Sequence, residues 1–514
     1  MLSSLRRGVL NRDSARASAS ADRALARRPR ATEGRFVRQA SVLALGTILG
    51  QVGVLAAAPL LTRIYPPEAI GAWAFFSTIA MALANIGNFK YEQAIVLPRS
   101  DAQAVNLAAL CLLVHICVLS LAAIAIVVVQ SHAAGGFFDS LLSLGMVWLL
   151  LPLISALSFY SICRYWFLRK QQFRTLAVFI VLDAWLLSGA QIAAGITMGA
   201  GATPLVLAGV AAISTLALVF GIAVTLQMRS RGGRLSAAHM VALAKRYRNF
   251  PLYAAPYAFL GMASSRALLI LFGIYATPAA VGFLALAMRV TSLPGSMVSS
   301  ALNNAFFSWA SRHLHEPGAF AALIRNVLHP MIILGTPGVV LFVLNAEWLF
   351  ATVFGSEWVE AGRYAKYLAI GSFALLLCIW LDSIYNVLNK QKVSLILEGI
   401  FDVTMLTSVF ICLAIYHDVL LAVAVFSVAT TLYNLVWLII MFWIVKLPAV
   451  LFFEIIGLLA LMVIVSLAVH GVGDLLMGPV GYALLCSAFL VILGVYAGRR
   501  LLTFAQARGL EARA

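Results

Sequence analysis

Two arginines inside apolar segments are the residues of this sequence best placed to do chemistry. Arg266 and Arg289 each fall within an apolar stretch of about 20 residues, the length that crosses a membrane. A charged side chain that faces hydrocarbon at mid-helix costs roughly 2.5 to 3.5 kcal/mol. Each arginine is therefore expected to face an internal cavity or a partner group, and for Arg266 a buried ion pair is the alternative to a cavity.

Polar side chains extend this pattern along two predicted helices. Gaps of seven, three and four residues place each set on one helical face, and Pro294 adds an expected kink to the second helix. Both faces should avoid lipid, and they serve either a binding cavity or interhelical hydrogen bonds. The two sets are Thr78, Asn85, Asn88 and Glu92, and Arg289, Ser296, Ser299 and Asn303.

Lys90 adjoins the first polar set but lies about 140° from Asn85 on an ideal helix. It joins the same site only if the helix bends or ends there. The alternative is a lysine whose stem extends along the helix toward the membrane surface.

Four carboxylates also fall within predicted spans, where they could carry a proton or a cation. Asp183 and Asp402 lie at matching depth, about eight residues or ~12 Å from one end of their helices. For Asp382, Glu398 and Asp402, structural pairing with nearby Lys390 or Lys392 is the alternative. The four candidates are Asp183, Asp382, Glu398 and Asp402.

No metal or organic cofactor is predicted, and coupling to H⁺ or Na⁺ is left open. His313 and His315 lack carboxylate or cysteine neighbours, and the six cysteines lack the spacing of a zinc or redox site. The net charge of +17 is not gathered into a basic domain with interleaved aromatic residues. This distribution argues against nucleic acid as a partner.

Composition places these residues in a membrane protein. Of the 514 residues, 63% are hydrophobic and 11% are charged, whereas a soluble domain carries roughly 25% charged residues. Apolar segments of spanning length recur fourteen times between residues 39 and 500 and leave no stretch for a soluble core. The sequence predicts an all-α polytopic membrane protein with about 14 transmembrane helices.

The charges of the connecting segments orient these helices. The terminal tails and the even-to-odd connections hold 31 Lys and Arg residues, whereas the opposite connections hold only Arg63, Arg363 and Lys366. Because cytoplasmic loops carry the excess of basic residues, both termini are expected in the cytoplasm.

Two short motifs recur six helices apart and predict an internal repeat. Residues 64–71 and 274–282 both contain I-Y, a turn and A-x-G, and residues 165–171 and 385–391 share Y-x-x-L-x-K-Q. An even separation gives both copies the same orientation in the membrane, so a pseudo-two-fold axis along its normal is expected. The prediction is two six-helix parallel-repeat bundles plus two extra C-terminal helices.

This repeat divides the chain into six predicted segments. They are a disordered basic cytoplasmic tail (1–35), the first bundle (36–228), an amphipathic cytoplasmic linker (229–250), the second bundle (251–446), the last two helices (447–501) and a C-terminal cytoplasmic tail (502–514).

The sequence around the repeated motifs resembles the Wzx-type oligosaccharide flippases of the multidrug/oligosaccharidyl-lipid/polysaccharide exporter superfamily. Residues 60–71 read L-L-T-R-I-Y-P-P-E-A-I-G and residues 91–98 read Y-E-Q-A-I-V-L-P, similar to that family's L-T-R-x-Y-(S/T)-P-E-x-F-G and R-Y-E-x-A-I-x-L-P. Residues 247–253 and 287–294 resemble its Y-x-x-F-P-L-Y and A-x-R-V-x-x-x-P. Lys90 stands where the family usually has Arg, which keeps the charge but loses a bidentate fork.

The resemblance implies two bundles around a cavity that opens alternately to each side of a bacterial inner membrane. Its cargo would be an undecaprenyl-diphosphate-linked oligosaccharide, moved outward for exopolysaccharide, capsule or O-antigen assembly. Arg289 and Lys90 would hold the diphosphate, and the last two helices would form a groove for the lipid tail. Arg266 joins them as a candidate on its depth in the span alone, since a polar uncharged residue is expected at its position. The implied partners are membrane lipid, a polysaccharide polymerase and a chain-length regulator. The remaining cavity residues would be Asn85, Asn88, Glu92, Ser296 and Asn303.

Two other functions compete with this expectation. A cation-coupled multidrug antiporter of the same superfamily would favour an acid-rich, aromatic cavity over a cationic one. A membrane-embedded polysaccharide polymerase would be an enzyme with a large external loop, and no predicted external loop much exceeds 20 residues.

Overall fold

Helices account for nearly all of the chain that the computed structural model describes. Within the described ranges no β-strand occurs, in agreement with the all-α prediction. The predicted tails, 1–35 and 502–514, lie outside these ranges. The described residues are 42–132, 145–230, 235–310, 317–381, 384–388, 390–476 and 485–499.

Two sets of six long helices follow each other along the chain. The first set is α1 (Val42–Ile64), α2 (Pro67–Ile86), α3 (Asp101–His132), α4 (Leu150–Arg169), α5 (Phe173–Met198) and α6 (Ala202–Arg229). The second is α7 (Ala255–Tyr275), α8 (Pro278–Ala310), α9 (Pro317–Phe354), α10 (Val359–Cys378), α11 (Gln391–Ala414) and α12 (Val419–Val445). A linker helix, Ala237–Arg246, lies between the sets, and α13 (Ala449–Leu476) and α14 (Leu485–Arg499) follow them.

The length and surface of these helices identify a multi-pass membrane protein. Twelve of the described helices are long and apolar enough to cross a membrane. Large apolar side chains face outward, and Ile196, Leu121 and Leu218 are 72%, 66% and 63% exposed. The apolar segments of α7 and α14 are shorter, Arg266–Tyr275 and Leu485–Arg499, so the predicted count of fourteen spans is not confirmed.

The C-terminal end of the second helix differs from its prediction as one span over residues 71–94. α2 ends at Ile86, and Phe89 and Lys90 take left-handed φ angles of 47° and 61°. A one-turn helix, Tyr91–Ala94, follows this turn. Left-handed residues cannot continue a right-handed helix, and an apolar pattern does not reveal them because the sequence stays largely apolar beyond the break.

α2 and α8 cross at the two glycines of the repeated motif. A Cβ atom on Gly71 would lie 1.9 Å from the Pro278 carbonyl oxygen, and one on Gly282 would lie 2.1 Å from that of Pro67. The two prolines are offset by the same number of residues as the two glycines, so each helix makes the same contact with the other. A reciprocal contact of this kind is the signature of a two-fold axis, and it supports the parallel repeat.

We expect Gly71→Ala and Gly282→Ala each to destabilise the described conformation, because the added methyl group meets a backbone carbonyl that cannot rotate away. Overpacking of this kind costs typically about 1 to 3 kcal/mol. The thermal unfolding midpoint of the purified protein should fall in both variants. Gly189→Ala on α5 is the matched control, since nothing lies within 4 Å of its added Cβ. Equal midpoints for Gly71→Ala and Gly189→Ala would contradict the close contact.

Candidate functional site

A cavity of about 490 Å³ lies between the two bundles. α1, α2, α5 and α6 contribute one side of its wall, and α7 and α8 contribute the other. Arg289 is eleven residues into α8, ~17 Å along the helix, and therefore lies near the middle of the span. The polar side chains at the wall are Thr62, Ser77, Thr78, Gln191, Arg266, Arg289 and Ser292.

The charge of this cavity is positive. Arg266 and Arg289 both border it, and no Asp or Glu is among the residues that line it. Neither arginine forms an ion pair with any residue in the described ranges. The Arg289 side chain is exposed even though it lies deep in the protein, because it borders the cavity. The cavity therefore presents two guanidinium groups to whatever occupies it.

Gln191 of α5 is a cavity residue that the sequence analysis missed. Its side chain is 4% exposed, and its Nε2 has no hydrogen-bond partner in the described structure. The Tyr65 hydroxyl donates to its backbone carbonyl at 2.8 Å, which fixes this part of α5 against the turn after α1. A buried amide donor without a partner is rare in native structures, so this nitrogen needs an acceptor that the described residues do not supply. The sequence feature that would have indicated Gln191 is its position as an uncharged amide within an apolar span.

The other residues predicted on the second helix form a separate cluster at the end of α2 and just beyond it, and none of them borders the cavity. Lys90 Nζ donates to Asn85 Oδ1 and lies 4.0 Å from Glu92 Oε1. The left-handed turn at Phe89 and Lys90 makes this approach possible, since a continuous helix would hold Lys90 about 140° from Asn85.

This cluster links α2 to both bundles. Asn85 Nδ2 donates to the Ala258 carbonyl of α7 at 2.8 Å, and Asn88 Nδ2 donates to the Ser158 carbonyl of α4 at 2.9 Å. Glu92 is 3% exposed, and its burial raises the pKa of its carboxyl group while Lys90 opposes that rise. Burial likewise lowers the pKa of the Lys90 ammonium group, against the opposing charge of Glu92. The charged form of each group is therefore disfavoured by burial and stabilised by the opposite charge of the other.

The predicted ion-coupling carboxylates lie in different bundles. Asp183 is half-buried in α5, and Asp402 is half-buried in α11. Glu398 borders a cavity of about 180 Å³ between α10, α11 and α12, together with Ser394 and Asn434.

One predicted pairing is not formed among the described residues, and three predicted site residues fall outside the described part of the structure. Within the described ranges Lys390 and Lys392 form no ion pair. Asp382 and the side chains of Ser296 and Asn303 lie outside the described part of the structure.

Three solved structures resemble this fold. The lipid II flippase MurJ in an inward closed conformation has a TM-score of 0.63 and 11% identity, over 90% of this chain and 99% of that one. An inward-facing multidrug resistance MATE family transporter of the MOP superfamily has a TM-score of 0.58 and 16% identity, over 78% and 99%. A MATE structure in complex with MaL6 has a TM-score of 0.51 and 14% identity, over 79% and 96%. At these identities the likeness is one of fold.

The sequence itself identifies the family. No curated protein matches the chain. Residues 60–363, more than half of the chain, match the profile of a family described as polysaccharide biosynthesis protein. The structural neighbours are transporters and not catalytic enzymes. The chain therefore belongs to this polysaccharide biosynthesis protein family, and it shares its fold with the MurJ and MATE structures.

Proposed function

We propose that this chain flips an undecaprenyl-diphosphate-linked oligosaccharide from the cytoplasmic to the periplasmic leaflet of a bacterial inner membrane, for exopolysaccharide, capsule or O-antigen assembly. The observation that carries the proposal is the pair of arginines, Arg266 and Arg289, on a cavity without a lining carboxylate. Guanidinium groups bind phosphate oxygens through two parallel N–H bonds, so a diphosphate is the anion that this pair fits best.

The cavity also suits the polar part of such a lipid. A diphosphate and its sugars cannot enter the hydrocarbon core unaided, because each unsatisfied polar group costs several kcal/mol there. The volume of about 490 Å³ falls within the range of roughly 300 to 1,000 Å³ that is usual for small-ligand pockets. In this proposal Arg289 and Arg266 bind the diphosphate, and Gln191 and Thr78 bind sugar hydroxyl groups.

The charge distribution supports the proposed direction of transport. With both termini in the cytoplasm, as the 31 basic residues on one side favour, the contact between Gly71 and Gly282 lies toward the periplasm. The described conformation is then closed on that side. A state closed toward the periplasm is the one that accepts cargo from the cytoplasmic leaflet in an alternating-access cycle, and MurJ in its inward closed conformation has the same fold.

A multidrug antiporter is the main competing function, because MATE transporters share the fold. An organic cation in this cavity would meet two guanidinium groups and no lining carboxylate. Like charges at close range in a low-dielectric site repel by several kcal/mol. The cavity therefore favours an anionic cargo over a cationic one.

We expect Arg289→Gln to lower polysaccharide export about 10- to 100-fold, because a charge-assisted hydrogen bond contributes roughly 1.5 to 3 kcal/mol. Arg289→Lys should retain part of the activity, since it keeps the charge and loses the bidentate geometry. Surface polysaccharide and lipid-linked intermediates retained in the cytoplasmic leaflet would be measured at matched membrane abundance of the protein.

Arg174→Gln is the matched control, since Arg174 is an exposed arginine near the start of α5 and away from the cavity. Its export should equal that of the wild type. Wild-type export from the Arg289→Gln variant would overturn the assignment of Arg289 to the diphosphate. Transport of an organic cation by the purified protein would instead support the antiporter.

For coupling, we propose that Asp183 and Asp402, with Glu398 and Asp382 as further candidates, exchange a proton or Na⁺ during the cycle. The double variant Asp183→Asn/Asp402→Asn should then transport cargo in proteoliposomes at one rate, with or without a proton or Na⁺ gradient. The wild type should be accelerated by one of the two gradients. Gradient-driven transport by the double variant would remove these two acids from the mechanism.

A further inference from the structure

A second groove, of about 740 Å³, lies where the ends of α11, α12 and α13 meet. It is separate from the central cavity and shares no lining residue with it. Lys390 directly precedes α11, and Lys446 directly follows α12 with a left-handed φ of 58°. Since α13 begins at Ala449, three helices have their ends at the same face of the membrane here.

The polar part of this groove is cationic. Lys390 and Lys446 are both exposed, and neither forms an ion pair within the described residues. No Asp or Glu is among the lining residues. The nearby acid of α13, Glu454, accepts from Arg325 Nη2 at 2.6 Å and lies 3.4 Å from His329 Nε2, so it is held against α9.

The remaining wall of the groove is aromatic and apolar. The rings of Phe442 and Phe452 meet edge to face, with their centroids 5.7 Å apart. Trp443 and Phe453 are 81% and 70% exposed and border the same groove. In a membrane-spanning protein these rings contact lipid tails, and an indole at the end of a span lies at the level of the lipid headgroups.

Two lysines that have no ion pair among the described residues, together with an aromatic wall, match the two parts of an anionic lipid. The start of α11 adds partial positive charge beside Lys390, since the first N–H groups of a helix lack helical acceptors. A soluble anion would use the lysines and leave the aromatic wall without a partner, whereas a neutral phospholipid would leave the net positive charge of the lysines uncompensated. Basic pockets between membrane helices bind anionic headgroups by this combination.

We propose that this groove is a binding site for an anionic phospholipid of the surrounding bilayer, with its phosphate between Lys390 and Lys446 and an acyl chain along Trp443 and Phe453. The site is independent of the proposed transport and of the central cavity. It fastens α13 to the second bundle through a lipid, beside the direct ion pair of Glu454 with Arg325.

Quenching of tryptophan fluorescence by brominated lipids tests this site on the purified full-length protein. Phosphatidylglycerol and phosphatidylcholine with dibrominated acyl chains would be titrated separately. The wild type should bind the brominated phosphatidylglycerol more tightly, and Trp443→Phe should lose part of the quenching. Each lysine near an anionic headgroup contributes about fivefold in affinity, so Lys390→Gln/Lys446→Gln should weaken phosphatidylglycerol binding roughly 25-fold. Its binding of phosphatidylcholine should not change.

Lys392→Gln is the matched control, because Lys392 is an exposed lysine two residues from Lys390 that does not line the groove. Its affinity for phosphatidylglycerol should stay within about twofold of the wild type. The double variant Lys390→Arg/Lys446→Arg keeps both charges and should retain binding, which separates loss of charge from loss of folding.

Three results would overturn the proposal. One is equal affinity of the wild type for the two phospholipids, and another is an equal loss of affinity in Lys392→Gln and in the double glutamine variant. The third is displacement of phosphatidylglycerol by a tenfold smaller amount of a polyprenyl diphosphate, which would assign the groove to the transported class of lipid instead.

Discussion

The guanidinium groups of Arg266 and Arg289 impose the constraint that the rest of the structure satisfies. A charge in the hydrocarbon core is expensive, and neither arginine has an anionic partner among the described residues. The protein keeps both by surrounding them with helices from two bundles and leaving a cavity between them. The outward faces of the same helices carry large apolar side chains, because lipid is their solvent. The two-bundle architecture is thus what allows charge at this depth.

Close approach of backbones joins the two bundles beside that cavity. Gly71 and Gly282 have no side chain to separate α2 from α8, so the backbone of each helix comes within reach of a carbonyl oxygen of the other. The contact is rigid, since it involves main-chain atoms in regular helices. At the other end of α2 the link is different in kind, because one amide hydrogen bond from Asn85 to Ala258 joins the bundles.

Periodicity in the sequence predicted most of this architecture. It failed where individual side-chain contacts or backbone angles determine the local structure. The apolar runs predicted the helices, and the repeated motifs made Gly71 and Gly282 equivalent positions, which the structure brings into contact. The offset of 211 residues that aligns Gly71 with Gly282 also aligns Thr78 with Arg289. Both of these residues border the cavity, because equivalent positions near a two-fold axis come together. Farther from the helix crossing, equivalent positions of the two bundles no longer lie side by side. Asn85 donates a hydrogen bond to α7 and accepts one from Lys90, which the left-handed turn brings back toward it. A hydropathy pattern does not reveal left-handed backbone angles.

The two bundles share one arrangement of helices, but their cavity-lining side chains differ in charge. Both arginines of the cavity belong to the second bundle, on α7 and α8, whereas the first bundle contributes neutral donors such as Thr78 and Gln191. In the proposed cycle an anion would be held by charge on one side and by hydrogen bonds on the other. Separation of the bundles would then break the weaker, neutral contacts first, and the cargo would stay with the second bundle until water reached the arginines. A cavity with one arginine on each bundle would instead be held shut by the anion that it carries, since each bundle would keep a charge-assisted bond to it.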